Sequence, residues 1–450
     1  VSRSVVVVGG GLAGLSAALA CTDSGARVTL VERRTQLGGL TRSFRHQDHT
    51  YDNGQHVFLR CCTAYLQFLE RIGASHDVAV QDRMAIPVLR PGGPTGWLRR
   101  TRRLPAPLHL AGALLRYPHL SLGDRARIGL AALPLSRLRL DDPALDTRSF
   151  GDWLAAHRQR PRAVEALWDL ITVPTVNLPA AEASLAMAAK VFQTGLLTDA
   201  PAADIGWSRV PLGQLHGERA ATALTQTGAR ILTGERVLKV DVEAAGFTVK
   251  TDQRSLTADA VVVAVPHDAV AGVLPAGAIA DPERLTQLGT SAVINVHVVY
   301  DRRVTDLPMA AGVDTPVQFV FDRTASAGFS SGQYLAVSLS AANDQLGGRP
   351  DDLGEDIVKA LADLFPAAGH AQVTDVLVTR ERGATFAARP GTGSLRRRPQ
   401  TAFPGLVLAG AWTDTGWPAT MEGAVRSGAA AARVALASTG ALRTLPEEVA

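Results

Sequence analysis

Gly9, Gly11 and Gly14 carry the spacing G-x-G-x-x-G, in which a backbone without side chains can turn sharply and approach a pyrophosphate. Glu32 follows eighteen residues after Gly14, where a carboxylate can accept hydrogen bonds from a ribose diol. The chemistry implied is the binding of a dinucleotide. Gly38-Gly39, with Arg42 as counter-charge, suits a second close approach to a phosphate or a ribityl chain, although an ordinary turn would explain the doublet equally well. Asp52-Asn53-Gly54-Gln55-His56 concentrates polar side chains next to this unit and reads as a site wall. Towards the C-terminus, Leu406 to Gly428 reads as a strand, a polar loop rich in Gly, Thr and Trp, and then a helix of small residues to about Ser438. The N-terminus of that helix would point at something electron-rich.

The elements that must position these residues are legible around them. Val5 to Val8 reads as a strand buried on both faces, the first helix as Leu15 to Cys21, and the second strand as Arg27 to Val31. Helices are expected over Ala64 to Ile72, Leu108 to Arg116, Asp124 to Leu133, Phe150 to His157, Arg162 to Ile171 and Ala180 to Phe192. Tyr51 to Phe58 reads as one short strand. Ser291 to Tyr300, Pro316 to Asp322, Gln333 to Ser340 and Val373 to Thr379 suggest an antiparallel sheet, with a helix from Leu353 to Phe365. A chain of 450 residues suggests two or three domains.

Composition excludes some classes. A net charge of +4 is too small to argue for nucleic acid, and no run of about twenty apolar residues exists to span a membrane. Three cysteines, Cys21, Cys61 and Cys62, have no metal-site spacing and suggest a reducing, cytoplasmic setting. No signal peptide is expected, because the sequence enters its first strand at once. Between Arg99 and Arg139 there are nine arginines interleaved with leucines and a single acid, Asp124. Such a segment can lie on an anionic bilayer or can be a solvated helical layer over its own core.

Taken together, the three glycine-rich segments resemble the flavin amine-oxidase superfamily, which includes phytoene desaturases and protoporphyrinogen oxidase. Within it, Asp52-Asn53-Gly54-Gln55-His56 and Trp412-Thr413-Asp414-Thr415-Gly416 are similar to the squalene-associated desaturase group, the hydroxysqualene dehydroxylases of hopanoid biosynthesis; so are Pro418-Ala419-Thr420, Glu422-Gly423-Ala424-Val425 and Ser427-Gly428. The resemblance implies an α/β protein, a Rossmann-like FAD-binding domain (1–60, 205–290 and 390–440) interleaved with an α+β substrate domain (61–204 and 291–389). It implies that Gly9, Gly11, Gly14 and Glu32 hold the ADP half of FAD and that Gly38, Gly39 and Arg42 follow its pyrophosphate and ribityl chain. Val237 would meet the adenine, and Gly410 and Met421 the flavin end. Arg33, Leu40, Thr41, Gly54, Ala411, Thr420 and Ala424 complete the cofactor-binding set.

Two departures from the family pattern bear on function. Ala411 stands where desaturase-type members usually carry Asp, which puts cofactor affinity in question. Asn295 stands where amine oxidases place a lysine, and Thr420 where they place a cage aromatic, so amine oxidation is the weaker reading. The expected reaction replaces the allylic hydroxyl of hydroxysqualene by hydride from reduced FAD, with the oxygen leaving as water. His56 is the first candidate for the acid that protonates it, Asp52 its orienter and Asp414 its rival. His297 reads as a core or sheet-face residue. The alternatives are a carotenoid-type desaturase and a non-catalytic isoprenoid carrier. The electron donor is unknown, there being no second nucleotide fingerprint. The segment 99–139 is expected to rest on the inner face of the cell membrane.

Overall fold

The computed structural model describes residues 2–438; residues 439 and 440, the end of the expected 390–440 segment, lie outside it. Four valines make Ser4–Val8 a strand without a solvated face, and it sits in the middle of five parallel strands. Their order is Arg230–Thr233, Arg27–Glu32, Ser4–Val8, Ala260–Val263 and Leu406–Leu408. Val7 and Val262 face each other across this sheet, both fully buried. The first helix runs from Leu12 to Asp23, starting three residues before the expected point because Gly11 already serves as its N-cap. It packs against the last helix, Met421–Ser438, which the small residues allow to come very close. Ser16 donates to the Val425 carbonyl at 2.9 Å, and a methyl group on Gly428 would lie on the Ala13 carbonyl oxygen.

The second sheet has seven strands, ordered Val373–Thr385, Ser291–Tyr300, Gln333–Ser340, Phe319–Asp322, Met309–Gly312, Ala85–Leu89 and Gly96–Arg99. It is mixed rather than antiparallel: Ala311 pairs with Val88 in parallel register. The two outermost strands escape sequence reading because they are short and one contains Pro87, a residue that demotes a run to an edge position. Ser291–Tyr300 is buried almost throughout instead of alternating, because neighbouring strands flank it and the helix Pro350–Leu364 packs beside it.

Other boundaries differ for local reasons. Tyr51 to Phe58 is not one strand: His49–Asp52 pairs with Ser43–His46, Val57–Leu59 pairs with Ile205–Ser208, and Asn53 to His56 forms the bend between them. The helix expected from Leu108 starts as regular α-helix only at Ala111, after a 3₁₀ turn. The next, Leu122–Ser136, continues through Pro134. Ala180 to Ser184 is not helical and leads into Leu185–Phe192. These helices, with Phe150–Ala156 and Asp169–Val176, build a layer over the outer half of the second sheet.

Candidate cofactor and substrate site

The carboxyl ends of the parallel strands carry the glycine turns, and the fold brings the two turns into contact. Gly38 donates to the Gly10 carbonyl at 2.8 Å, and a Cβ on Gly39 would sit 2.9 Å from the Cα of Gly11. The first helix begins there with no side-chain cap and no acidic residue in its first turn, so its N-H groups are free for an anion. Glu32 is buried at the end of its strand, where it accepts from the amides of Gly10 at 2.7 Å and Arg34 at 2.8 Å. Arg34 and Arg42 both donate to the Gly39 carbonyl at 3.3 Å and so crowd two cations at the cradle. Burial and Arg34 lower the pKa of Arg42, while Glu381, 3.6 Å away, works in the opposite direction. Arg33 and Leu40 are exposed, whereas Thr41 is buried with its hydroxyl on the Gly38 carbonyl. Val237 lies two residues past Glu235, whose amide donates to the Glu32 carbonyl at 3.0 Å.

At the other end of the last helix, Gly410 has φ +145° and donates to Ser427 Oγ at 2.9 Å. Arg396, which sequence reasoning missed, is buried beneath the loop and donates to the carbonyls of Thr413 at 2.6 Å and Trp417 at 2.8 Å. Burial lowers its pKa to about 10. Thr420 accepts from the Gly423 amide through Oγ1, and its carbonyl accepts from Ala424 at 2.9 Å. Glu422 joins its own helix to another, accepting from Arg426 at 2.6 Å and from the amides of Ala64 at 3.2 Å and Tyr65 at 2.7 Å. Ala411 is half-buried, and Asp414 is exposed on the far side of the loop with its amide on the Arg397 carbonyl.

The bend Asn53 to His56 faces both regions. Asn295, fully buried in the Ser291–Tyr300 strand, donates to the Asn53 carbonyl at 3.2 Å. The expected Asp52–His56 pairing does not form. Asp52 accepts from Ser43, Leu212 and Arg323, and no hydrogen bond joins it to His56. His56 instead pairs through Nδ1 with the Gly54 carbonyl at 3.2 Å, and burial holds its pKa below the usual histidine range. His216, unremarked in the sequence, is bonded to Tyr65 at 2.7 Å; burial and the neighbouring His56 lower it to about 3. His297 is a buried core residue paired with Tyr334.

Beyond the bend opens a cavity of about 450 Å³, within the ~300–1,000 Å³ typical of small-molecule sites. Its inner end is lined by Gln55, Trp417, Thr420 and Met421, its far end by Leu108, Leu114, Ile128 and Ala132. The walls between are apolar, including Phe58, Leu98, Leu170, Phe192 and Phe319. Lys190 and Glu422 are the charged residues that reach it; Cys61 and Cys62 also face it. Twelve large hydrophobic side chains are exposed on the described chain, and eight of them lie between Trp97 and Leu140. One of these eight, Leu108, also lines the cavity, which therefore reaches the apolar surface at that side chain.

Residues 12–436 match the family of flavin containing amine oxidoreductases. The chain belongs to that family. It is similar over 97% of its length to hydroxysqualene dehydroxylase of Rhodopseudomonas palustris, at 29% identity and with 99% of that protein covered. A zeta-carotene desaturase of Zea mays is 26% identical over 94% of this chain and 82% of the plant protein. Among solved structures, cyclohexylamine oxidase from Brevibacterium oxydans superposes with a TM-score of 0.73 at 18% identity, covering 99% of this chain and 100% of the other.

This flavin oxidoreductase therefore has the α/β amine-oxidase fold, with FAD as its cofactor. The residues present fit that cofactor. The uncapped helix, the touching glycine turns and two arginines suit a diphosphate. Arg34 rather than exposed Arg33 is the arginine that the fold turns towards this cradle. No sequence rule separates adjacent arginines at a strand end, where a one-residue step reverses the face. No helix among the described residues is long and apolar enough to cross a membrane.

Proposed function

We propose that the enzyme reductively dehydroxylates hydroxysqualene to squalene at the inner end of the apolar cavity. The observation that carries this reading is the cavity itself, lined mostly by apolar side chains and reaching the surface at exposed Leu108. A long isoprenoid fits such a passage, whereas the lysine and cage aromatic expected of an amine oxidase are replaced here by Asn295 and Thr420. The similarity to a hydroxysqualene dehydroxylase over almost the whole of both chains supports the substrate class.

In this reading Gly9, Gly11, Gly14, Gly38, Gly39, Thr41, Arg34 and Arg42 hold the diphosphate, Glu32 a ribose and Val237 the adenine side. Gly54, Gly410, Thr420, Met421 and Ala424 border the ring system. When bound, reduced FAD supplies the hydride that replaces the hydroxyl. The chain's own part is to keep water out and to deliver a proton to the departing oxygen, since hydroxide is a poor leaving group. His56 is the candidate donor: burial holds its pKa below the usual histidine range, which makes its protonated ring a readier proton donor. Asp52, whose oxygens are already occupied, would act only by fixing the bend. The carbon–oxygen bond breaks, carbon gains hydride, and oxygen with one added proton leaves as water.

The exposed face between Trp97 and Leu140 would rest on an anionic bilayer and admit the substrate. Carotene desaturation is the second reading, favoured by the identity with the plant desaturase, and would use the same cavity with the redox direction reversed. The deciding test is an anaerobic single turnover. Photoreduced protein should be reoxidised by hydroxysqualene in detergent with matching squalene formation. Failure to reoxidise, with bleaching of the oxidised protein by a polyene precursor instead, would establish the desaturase.

A further inference from the structure

Most side chains along the cavity are apolar, so a polar one without a partner in the protein marks where a substrate could carry a polar atom. Gln55 and Ser338 both line it. The amide of Gln55 makes no side-chain hydrogen bond within the protein, and its Nε2 is shielded from water, an arrangement that proteins avoid unless a partner arrives. Its backbone is fixed, because its N-H donates to Asn295 Oδ1 at 3.4 Å. Asn295 lies directly opposite Thr379 on one neighbouring strand and Ser338 on the other, and residues so paired project to the same face. Thr379 and Asn295 both donate to the Asn53 carbonyl, at 3.3 Å and 3.2 Å, anchoring the bend that carries Gln55. Ser338, the third of the row, is half-buried and has no side-chain hydrogen bond. Beyond it the row continues with Phe319, which is apolar.

We propose that the Gln55 amide, with the Ser338 hydroxyl beside it, is a docking subsite for one neutral oxygen, the hydroxyl of an isoprenoid alcohol. This rests on the isoprenoid reading above and deepens it. A hydroxyl both donates and accepts, so it can satisfy either end of a neutral amide, and rotation about the last side-chain bond exchanges the two ends. A charged partner is not called for, and none of the row is charged. The subsite binds and orients the oxygen; neither residue is an acid, so protonation remains a separate task. Its consequence is selectivity. A site built to hydrogen-bond a hydroxyl disfavours the analogue that lacks it, because its own polar groups are then left unpaired.

The test is a binding titration of the oxidised flavoprotein, following fluorescence of cavity-lining Trp417 while hydroxysqualene or squalene is added in the same detergent. The native protein should bind the alcohol about tenfold more tightly than the hydrocarbon. Gln55→Met, close in volume but unable to hydrogen-bond, should bring the two affinities together by weakening the alcohol alone. Ser338→Ala should narrow the gap about threefold and serves as the second variant if Gln55→Met does not fold. Retention of the full preference in a folded, flavin-loaded Gln55→Met protein would overturn the subsite. So would loss of flavin from that variant, which would assign the amide to the cofactor. Failure of the native protein to prefer the alcohol would overturn the substrate reading itself, and with it the subsite.

Discussion

The nucleotide cradle and the cavity are built by opposite means. The cradle is made of backbone: glycine turns touch each other, a helix end is left open, and a carboxylate holds two amides. Each of its parts is contiguous in the chain. The cavity is made of side chains from segments as distant as Gln55, Leu114, Phe192, Phe319 and Met421, and no two neighbouring residues define it. Backbone recognition tolerates few residue types, because an added carbon atom collides. An apolar wall tolerates many, provided its volume is kept. The cofactor end of such a molecule should therefore be brittle and the substrate end adaptable.

The sharpest way to break that contrast is Gly14→Val. A side chain at Gly14 meets the Gly9 carbonyl oxygen and Ala264, so the turn cannot close around a diphosphate. Flavin content, read from the absorbance of the purified protein, should fall more than about 100-fold while far-UV circular dichroism stays near native. A yellow variant would show that the cradle is less exacting than its geometry. Acid tests whether the two regions yield together. His216 lies on the cradle side and His297 in the second sheet, and burial lowers each to about 3. The unfolded chain, with histidine near 6.5, binds more protons between those values. Stability is therefore complete above about pH 6.5 and declines as pH falls towards 3, by a few kcal/mol for each of the two histidines at about 1.36 kcal/mol per unit. Urea unfolding from pH 7.5 to 4 should show one transition moving to lower denaturant, with a shallower decline in His297→Gln. A midpoint that does not move would remove the buried histidines from the account.

The same contrast explains what could be read from the sequence. Gly9, Gly14, Gly38 and Gly39 announce themselves because only glycine fits, and the strand of four valines fixes their frame. Ala85–Leu89 and Gly96–Arg99 are hidden because they are only five and four residues long, and the first holds a proline although strands flank it on both sides. Arg396 and His216 gave no signal, since a buried polar residue is recognised by its partners, and these lie far away in sequence: the Thr413 and Trp417 carbonyls for the first, Tyr65 for the second. The arginine cluster was visible, but its members are not equivalent. Arg100 is buried against Asp204 at 2.6 Å, while Arg116 is exposed beside Leu115, itself 66% exposed.

That difference yields the smallest effect and the finest test of the membrane-facing surface. Each basic residue near an anionic bilayer contributes about 1 kcal/mol, so Arg116→Gln should weaken binding to phosphatidylserine vesicles about fivefold. Vesicles of neutral lipid should not distinguish it from the native protein. Arg100→Gln should leave vesicle binding unchanged, because its guanidinium faces inwards, yet lower the melting temperature by stranding a buried carboxylate that Arg60 only partly neutralises. Flotation of the two variants on both vesicle types separates docking from stability in one experiment. Equal losses for both would mean that the segment responds as a folded unit rather than through its exposed face, and the leucines from Trp97 to Leu140 would then need another explanation.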